Sequence, residues 1–406
     1  NLIEKTMKGS TQGPSGTTSI GDTLKKTLKD NAREYGMIIA LIAIVMLFYA
    51  MTNGVLLKPL NVTNIVLQNS YVLILAVGML PVILIGKFDL SVGSVAAFVG
   101  SVAAILLVKF NMPFVPVLLI GLAIGALVGV WQGLWIAYLG IPAFIVTLSS
   151  MLIFRGLTIV VLDGRSIGPF SDTFQALSSS FIPDVFNNSG MHLVTIIAGI
   201  IGCLVIIISS LRARAARIRY NFDVLPLSIE ISKLVFICLG VLLLTYFFAA
   251  YKGIPTVMVL VLALIIVYSF ITNKTLVGRR LYALGGNERA AALSGIKTKM
   301  LTFIAFINLG VLSALAGMVF AARLNAGTPK AGNGFELDAI AACFIGGASS
   351  SGGIGTVIGA IIGALIMGVM NNGMSIMGIS IDWQQAIKGI ILLLAVAFDL
   401  YTKSKQ

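Results

Sequence analysis

The sequence predicts an all-α, polytopic integral membrane protein with about 10–12 transmembrane segments. The 406 residues are 58% hydrophobic and only 11% charged, with a mean hydropathy of +1.02, whereas soluble domains carry about 25% charged residues. The apolar residues fall into successive long runs, each able to cross a hydrocarbon core of about 30 Å as a helix. The 43 glycines are typical of helices that pack closely in a membrane.

The formal net charge of +13 comes mainly from Lys and Arg in short loops between the apolar runs. This placement is typical of segments that face the cytoplasm beside anionic lipid, so we expect membrane lipid as a partner and no nucleic acid. The three cysteines, Cys203, Cys238 and Cys343, lie inside apolar runs, and with the single His192 they show no metal-ligand spacing. We therefore expect no metal and no cofactor.

Residues 1–22 are polar and rich in Gly, Ser and Thr, a composition that predicts a disordered cytoplasmic tail. Residues 23–406 are predicted to form one transmembrane domain. Four basic residues precede the first apolar run at 37–57: Lys25, Lys26, Lys29 and Arg33. Positive charge at this position predicts a cytoplasmic N-terminus, and the run begins too late to be a cleavable signal peptide.

Five further apolar runs fill the first half of the chain, at 65–85, 92–108, 113–139, 143–162 and 193–211. Four glycines at a spacing of four predict a stripe for close helix contact in the fourth run: Gly121, Gly125, Gly129 and Gly133. The 163–191 segment lacks a strong apolar run and is predicted to be an extracytoplasmic loop. The arginines that end the sixth run predict that this end is cytoplasmic; they are Arg212, Arg214, Arg217 and Arg219.

The second half of the chain has apolar runs at 233–251, 254–271, 300–324, 354–370 and 386–400, with a short apolar piece at 339–347. Counting crossings places the 272–299 loop on the side of the N-terminus. The C-terminal lysines reach that side too if 339–347 is a short, discontinuous helix that crosses. We therefore favour about twelve segments, with both termini cytoplasmic. Gly355, Gly359 and Gly363 repeat the spacing of four seen in the fourth run. This second stripe would serve either helix packing or pore lining.

The 272–299 loop contains a basic, glycine-punctuated segment that must lie in water. Gly285-Gly286-Asn287 predicts a turn, and a short helix from Glu288 to Leu293 follows it, which Gly295 can end. The helix contains small residues, so it could fit a groove on another protein. The alternative is an ordinary solvated loop.

Several polar residues beside the apolar runs are candidates for function. Asp89 either pairs with Lys87 or caps a helix beginning at Leu90 or Ser91. Arg155, in the middle of a run, needs a structural partner or a substrate contact. Glu336 and Asp338 would complement the dipole of the short helix, and Asn371, Asn372 and Ser375 would anchor the interface or meet a docking protein.

The motifs of nucleotide-binding proteins and hydrolases are absent from the sequence. It contains no G-x-x-x-x-G-K-[ST] phosphate loop, no H-E-x-x-H and no G-x-S-x-G. An enzyme is therefore not predicted, and any energy must come from a partner or from an ion gradient. No run has a convincing carboxylate in the middle of a helix, which disfavours a gradient-driven carrier.

Several strings nevertheless occur together in order. They are Phe88-Asp89-Leu90-Ser91-Val92-Gly93-Ser94, Leu281-Tyr282-Ala283-Leu284-Gly285-Gly286-Asn287, Leu293-Ser294-Gly295-Ile296, Phe335-Glu336-Leu337-Asp338-Ala339-Ile340-Ala341-Ala342, Gly346-Gly347-Ala348-Ser349, Asn371-Asn372-Gly373-Met374 and Trp383-Gln384. From about Asn61 onward the chain resembles the permease subunit of ribose/xylose-type ATP-binding-cassette (ABC) sugar importers. Lys87 departs from this pattern, because the family often has glycine there. The 192–251 stretch is an extra hairpin relative to the shorter ribose permeases.

The resemblance implies a homodimeric permease in the bacterial inner membrane that imports monosaccharides by alternating access. Its partners would be a cytoplasmic ABC ATPase subunit and an extracytoplasmic sugar-binding protein. The family's coupling helix, which docks on the ATPase, matches Gly285, Gly286, Asn287, Glu288, Arg289, Ala290, Leu293, Ser294 and Gly295. The candidates for the translocation path or its gating are Asp89, Ser91, Arg155, Asn371 and Asn372. The alternative is a gradient-driven secondary sugar transporter.

Overall fold

A computed structural model describes residues 32–186, 190–220, 222, 224 and 226–403. The helices in chain order are α1 Ala32–Met51, α2 Pro59–Leu84, α3 Val92–Val108, α4 Phe114–Gly133, α5 Ala143–Leu162, α6 Asp172–Gln175, α7 Leu193–Arg219, α8 Leu227–Ala249, α9 Thr256–Lys274, α10 Leu276–Gly286, α11 Glu288–Leu293, α12 Thr298–Leu324, α13 Phe335–Ile345, α14 Val357–Ile376 and α15 Ile381–Lys403. A π-helical turn, Leu134–Tyr138, extends α4, and these described ranges contain no β-strand. The predicted tail at 1–22 lies outside them.

The all-α, multi-pass prediction is confirmed. Within the described ranges, nine helices are long and apolar enough to cross a membrane. Two shorter apolar helices, Tyr35–Met51 and Val92–Val108, and the half-length α13 bring the segments to the predicted number. Helices α3 and α5 keep the predicted bounds, whereas α7 continues past its apolar run to Arg219. It does so because helical backbone hydrogen bonds do not require apolar side chains and continue through the arginine-rich last turns.

Helix α2 lies at the centre of the bundle, with 89% of its most apolar window buried. It packs against α12, α13 and α14. The glycine stripe of α4 packs against α12: a Cβ on Gly125 would lie 2.4 Å from the Gly310 carbonyl oxygen, and one on Gly129 would lie 2.5 Å from Ile307 Cα. A Cβ on Gly363 of α14 would likewise lie 1.9 Å from the Ala342 carbonyl oxygen of α13. Both stripes therefore serve helix packing within the chain.

Two of the segments are broken near the middle of the bundle. Gly332 lies against Gly93, the second residue of α3, so the starts of α3 and α13 meet. The Tyr71 hydroxyl donates to Asp338 Oδ2 at 2.9 Å, beside the start of α13. Tyr71 is roughly 18 Å along the α2 axis from Pro59 at about 1.5 Å per residue, close to the middle of that helix. Helices α3 and α13, which we call the half-helices, therefore both begin near the centre of the bundle.

Each half-helix is preceded by a non-helical segment that leads to the centre from one end. Segment 325–334 runs along α3 from Ala104, which lies 2.7 Å from a Cβ built on Gly327, to Gly93. Helix α13 continues in the same direction beside α2, where Cys343 Sγ donates to the Ala76 carbonyl at 3.5 Å. After it, Gly353 N–H donates to the carbonyl of Leu84, the last residue of α2, at 2.8 Å. The short segment therefore crosses the bundle, which supports the predicted discontinuous helix, although α13 begins earlier than expected, at Phe335.

Helices α2–α5 and α12–α15 are related as inverted repeats. Helix α4 packs on α12 as α14 packs on α2, and α5 packs on α3 as α15 packs on α13. Two related strings lie at the breaks: Phe88-Asp89-Leu90-Ser91 immediately precedes α3, and Phe335-Glu336-Leu337-Asp338 opens α13. Because α2 and α12 run in opposite directions across the bundle, the repeats have opposite orientations.

The two ends of the bundle differ in charge. We call the end that carries Arg212–Arg219 of α7 and residues 275–297 the basic end. At the opposite end, Ile182 N–H donates to the Ile254 carbonyl and Ile167 pairs with Gly327. Segment 163–186 thus covers the opposite end as an ordered cap, with Phe174 of α6 fully buried.

Candidate functional site

The first candidate site is the α10–α11 pair at the basic end. The prediction of a turn at 285–287 is partly wrong, because α10 continues through Gly286 and the chain turns only at Asn287. Gly285 explains this, because its backbone packs directly on the end of α2: a Cβ there would lie 1.7 Å from the Leu84 carbonyl oxygen. Leu281 and Leu284 bury the same face of α10. Helix α10 is therefore fixed to the membrane-spanning helices.

Helix α11 has the predicted bounds and both of its ends are capped. Asn287 Oδ1 accepts from the Ala290 N–H at 3.0 Å, a side-chain cap of the first turn. Gly295 adopts φ +83°, and Ile296 N–H donates to the Ala291 carbonyl at 3.1 Å, which closes the last turn. Along α11 only Ala291 is buried, and Leu293 is 90% exposed. The chain therefore presents a short, capped helix with an uncovered leucine.

Contacts from α10 reach the broken segment as well as α2. The Tyr282 hydroxyl donates to the Gly355 carbonyl at 2.8 Å, and burial raises the pKa of Tyr282. A Cβ on Gly353 would lie 3.0 Å from the backbone nitrogen of Gly286, so the two backbones are close together. The loop that follows α13 is held in turn by α15, because the Ser350 N–H and hydroxyl each donate to Asp399 Oδ2 at 3.2 Å. Helix α10 therefore contacts both α2 and the loop between α13 and α14.

The second candidate site surrounds the start of α3. Asp89 Oδ1 accepts from the Ser91 N–H at 2.7 Å and from the Ser91 hydroxyl at 2.6 Å. Ser91 Oγ in turn accepts from Gln132 Nε2 of α4 at 2.6 Å. Asp89 thus orders the turn before α3, which begins at Val92 and not at Leu90 or Ser91. No ion pair joins Asp89 to Lys87 in the described part of the chain, so that alternative is not supported.

A third group of polar side chains lies at the start of α13. Lys388 Nζ of α15 lies 2.9 Å from Asp338 Oδ1. The other carboxylate oxygen of Asp338 accepts from the Tyr71 hydroxyl. Arg155 Nη1 of α5 donates to the Ala331 carbonyl at 2.6 Å, in the turn-rich segment before α13. Arg155 therefore has a structural partner on the backbone. Asp338 does more than complement the helix dipole, because it joins α2, α13 and α15.

Asn371 and Asn372 belong to a separate amide cluster between α14 and α2. Asn372 accepts from Asn61 Nδ2 at 2.8 Å and donates to Gln68 Oε1 at 3.3 Å. Asn371 Nδ2 donates to Asn69 Oδ1 at 3.3 Å. These bonds join the last turns of α14 to the first half of α2. The structure thus brings Asp89 and Ser91 together, and it places the two asparagines elsewhere.

Sequence reasoning missed several residues of these sites: Tyr71, Gln132, Tyr282, Lys388 and Asp399. One available signal was the repeat of Phe-Asp-Leu-Ser, which precedes α3, as Phe-Glu-Leu-Asp, which opens α13. No group of three His, Cys, Asp or Glu side chains suited to a metal occurs in the described ranges.

Comparisons with known proteins place the chain in a family. A family described as "Branched-chain amino acid transport system / permease component" matches residues 61–396. The xylose transport system permease protein XylH of Haemophilus influenzae is 39% identical over 376 residues, 93% of this chain and 98% of that protein.

Two ribose relatives are also similar. The ribose import permease protein RbsC of Haemophilus influenzae is 36% identical, covering 92% of this chain and 94% of the relative. RbsC of Bacillus subtilis is 34% identical, and the alignment covers 88% of this chain and 89% of that relative. No solved structure matches the chain. Because the family match covers most of the chain and these relatives align over nearly all of it, the chain belongs to the permease family that includes the xylose and ribose permeases of ABC sugar importers.

Proposed function

We propose that the chain imports a monosaccharide as a homodimeric permease, driven by a separate ABC ATPase that docks on α11. The observation that carries the proposal is the capped, exposed α11, with Leu293 90% exposed, fixed through α10 to α2. The sequence has no phosphate loop of its own. A protein of this family without that motif needs a partner that hydrolyses ATP, and an anchored helix is suited to receive its movement.

A monosaccharide is favoured over an amino acid as the substrate. The family description names branched-chain amino acids, but the relatives aligned over nearly the whole chain are named for xylose and ribose, and one at 30% identity is named for allose. A sugar-binding protein at the opposite end would deliver the substrate. The ordered cap at 163–186 is the surface available for that protein there.

Coupling would run from α11 through α10 to the centre of the bundle. Gly285 contacts the end of α2, and Tyr282 contacts Gly355 after the broken segment. A nucleotide-driven shift of α11 would therefore move both α2 and the loop that follows α13. The ATPase must favour one permease conformation for this to drive transport.

The translocation path would pass the residues around the two half-helices. Asp89 and Ser91 lie just before one half-helix, and Arg155 contacts the non-helical segment that leads to the other. In inverted-repeat carriers, broken helices near the midplane are where substrates pass. Asn371 and Asn372 would gate the opposite end by holding α14 to α2.

Reconstitution tests the transport function. Proteoliposomes that contain the permease should take up xylose, ribose or allose only with added ATPase, sugar-binding protein and ATP, and should not take up leucine. Uptake driven by a proton gradient without the ATPase would instead support a secondary sugar transporter. Leucine uptake would overturn the choice of substrate class.

Co-purification tests the assignment of α11. The double variant Arg289→Glu/Leu293→Asp should lose the bound ATPase, because it reverses a charge and places a carboxylate in the apolar contact. Arg212→Glu, an exposed change at the basic end outside α11, serves as the control and should retain the ATPase. If the double variant retains the ATPase while inserted normally in the membrane, α11 is not the docking helix.

A further inference from the structure

Helices α7 and α8 form a peripheral hairpin with a cleft at the basic end. The strongest apolar window is 17% buried in α7 and 0% buried in α8. The two helices touch where Gly199 meets Thr245 and where Cys203 Sγ lies 3.7 Å from the Cys238 carbonyl oxygen. Beyond these contacts they separate around a cleft of about 280 Å³. None of the transport contacts described above uses this cleft.

The cleft spans the boundary between hydrocarbon and headgroups. Helix α7 has 27 residues and is therefore about 40 Å long, longer than a hydrocarbon core of about 30 Å. Ile206 lies roughly 20 Å from the start of α7, whereas Arg214 and Arg217 lie roughly 32 and 36 Å from it. The lower part of the cleft is thus at the depth of acyl chains, and its upper part is at the depth of phosphate groups.

The side chains of the cleft match these two depths. Its deep wall contains Ile206, Leu234 and Ile237, and its upper wall contains Ser210, Arg217 and Lys233. Arg214 and Glu230, which also line the cleft, form an ion pair and hydrogen bond with each other. The only lining carboxylate in the described ranges is thus matched by an arginine, and the lining residues keep a positive charge from Arg217 and Lys233.

We propose that this cleft binds one anionic phospholipid of the surrounding leaflet. Its phosphate would lie between Arg217 and Lys233, with Ser210 as a further hydrogen-bond donor. One acyl chain would lie along Ile206 and Ile237. Basic pockets between transmembrane helices on the cytoplasmic side bind anionic headgroups, and the apolar deep wall, open to the bilayer, favours a lipid over a soluble anion.

Lipid titration of the full-length purified protein tests the proposal. Native mass spectrometry should show wild-type protein retaining phosphatidylglycerol more strongly than phosphatidylcholine. Arg217→Gln/Lys233→Gln should weaken retention of phosphatidylglycerol roughly 25-fold, since each basic side chain beside an anionic headgroup contributes about fivefold. Retention of phosphatidylcholine should not change. Ile237→Trp, which fills the deep wall and leaves all charges in place, should also release the phosphatidylglycerol.

The matched control is Arg212→Gln/Arg279→Gln, which removes two exposed charges at the basic end outside the cleft. If this control loses as much phosphatidylglycerol as the cleft variant, attraction is general and the site is not specific. Displacement of the lipid by equimolar glycerol 3-phosphate would show a phosphate site that does not require a lipid. Loss of the ATPase with retained lipid in the cleft variant would assign the surface to a protein. Each of these outcomes overturns the proposal.

Discussion

The backbone of Gly285 packs directly on the end of α2, which joins the α10–α11 pair to the membrane-spanning helices. Alanine there would place a Cβ 1.7 Å from the Leu84 carbonyl oxygen and 2.5 Å from Gly353 N. Backbone atoms cannot move aside as a side-chain tip can, so we expect Gly285→Ala to destabilise the fold by about 1–3 kcal/mol. The thermal midpoint of the purified protein should fall, and ATP-dependent uptake should fall several-fold.

Gly286→Ala is the matched control, since a Cβ on Gly286 meets nothing within 4 Å. The same substitution one residue later should leave both the thermal midpoint and the uptake near the wild-type values. Because alanine is a better helix former than glycine, an equal loss in the two variants would not come from helix propensity; it would show that the approach to Leu84 is not the cause.

Asp338 and Lys388 form an ion pair between α13 and α15, with the carboxylate side chain 2% and the lysine side chain 16% exposed. Removing one partner leaves a buried charge, which costs about 3–5 kcal/mol. Asp338→Asn or Lys388→Met should each lower the thermal midpoint strongly. The double variant should be less destabilised than the sum of the two, because it leaves no isolated charge. Additive losses would mean that the two side chains do not stabilise each other.

The residues of the sites differ in how well the sequence predicts them. Asn287 and Gly295 were predicted as the ends of a short helix, because caps act within a few residues. The partners of Tyr282 and Lys388 were missed, because they lie 73 and 50 residues away along the chain. No local pattern selects one carbonyl or one carboxylate at such a separation. Packing of whole helices decides these pairs.

At the scale of elements, α11 depends on its caps because six residues are too few to be helical alone. Asn287→Ala removes the side-chain acceptor for the Ala290 N–H and should destabilise the helix locally by about 1 kcal/mol. Amide hydrogen exchange across 288–293 should become roughly fivefold faster, with no change in the thermal midpoint of the whole protein.

Ser294→Ala is the control for that experiment. Ser294 Oγ donates to the Ala290 carbonyl at 2.9 Å, a bond back to the preceding turn that does not stabilise a helix. Exchange across α11 should therefore stay as in the wild type. If Asn287→Ala also leaves exchange unchanged, contacts with α12 and not the cap hold α11 in place.

The half-helices show why element boundaries were harder to predict than element existence. Hydropathy predicted a short crossing at 339–347, but Glu336 and Asp338 were counted outside it, because charged residues interrupt an apolar run. In the structure α13 begins at Phe335, and Lys388 together with Tyr71 makes Asp338 compatible with burial. The partners come from α15 and α2, so the run of apolar residues alone could not set the boundary.

At the scale of the whole molecule, the inverted repeat explains why the two broken segments meet. Helices α3 and α13 belong to repeats of opposite direction, and their starts touch at Gly93 and Gly332. In the sequence, the repeat is visible only as two related four-residue strings and two glycine stripes. A hydropathy profile does not detect either of these similarities. The contacts of α4 with α12 and of α14 with α2 make the relation visible. It also explains why both stripes pack within the chain.

The orientation of the protein in the membrane can be measured by labelling single cysteines from one side. Ser294→Cys lies on the exposed end of α11 at the basic end, and Val185→Cys lies in the cap at the opposite end, where Val185 is 81% exposed. The native cysteines are first replaced by alanine, since Cys238 is partly exposed. The excess of Lys and Arg at the basic end predicts that this end is cytoplasmic.

A membrane-impermeant maleimide added to intact spheroplasts should therefore label Val185→Cys and spare Ser294→Cys. Inside-out vesicles should give the reverse pattern. Because both positions are exposed in the fold, a difference between them reports the side of the membrane and not burial. The reverse result would place α11 outside the cell, where it could not meet an ATPase that uses cytoplasmic ATP, and would remove the basis of the coupling proposal even if the helix bundle itself is correct.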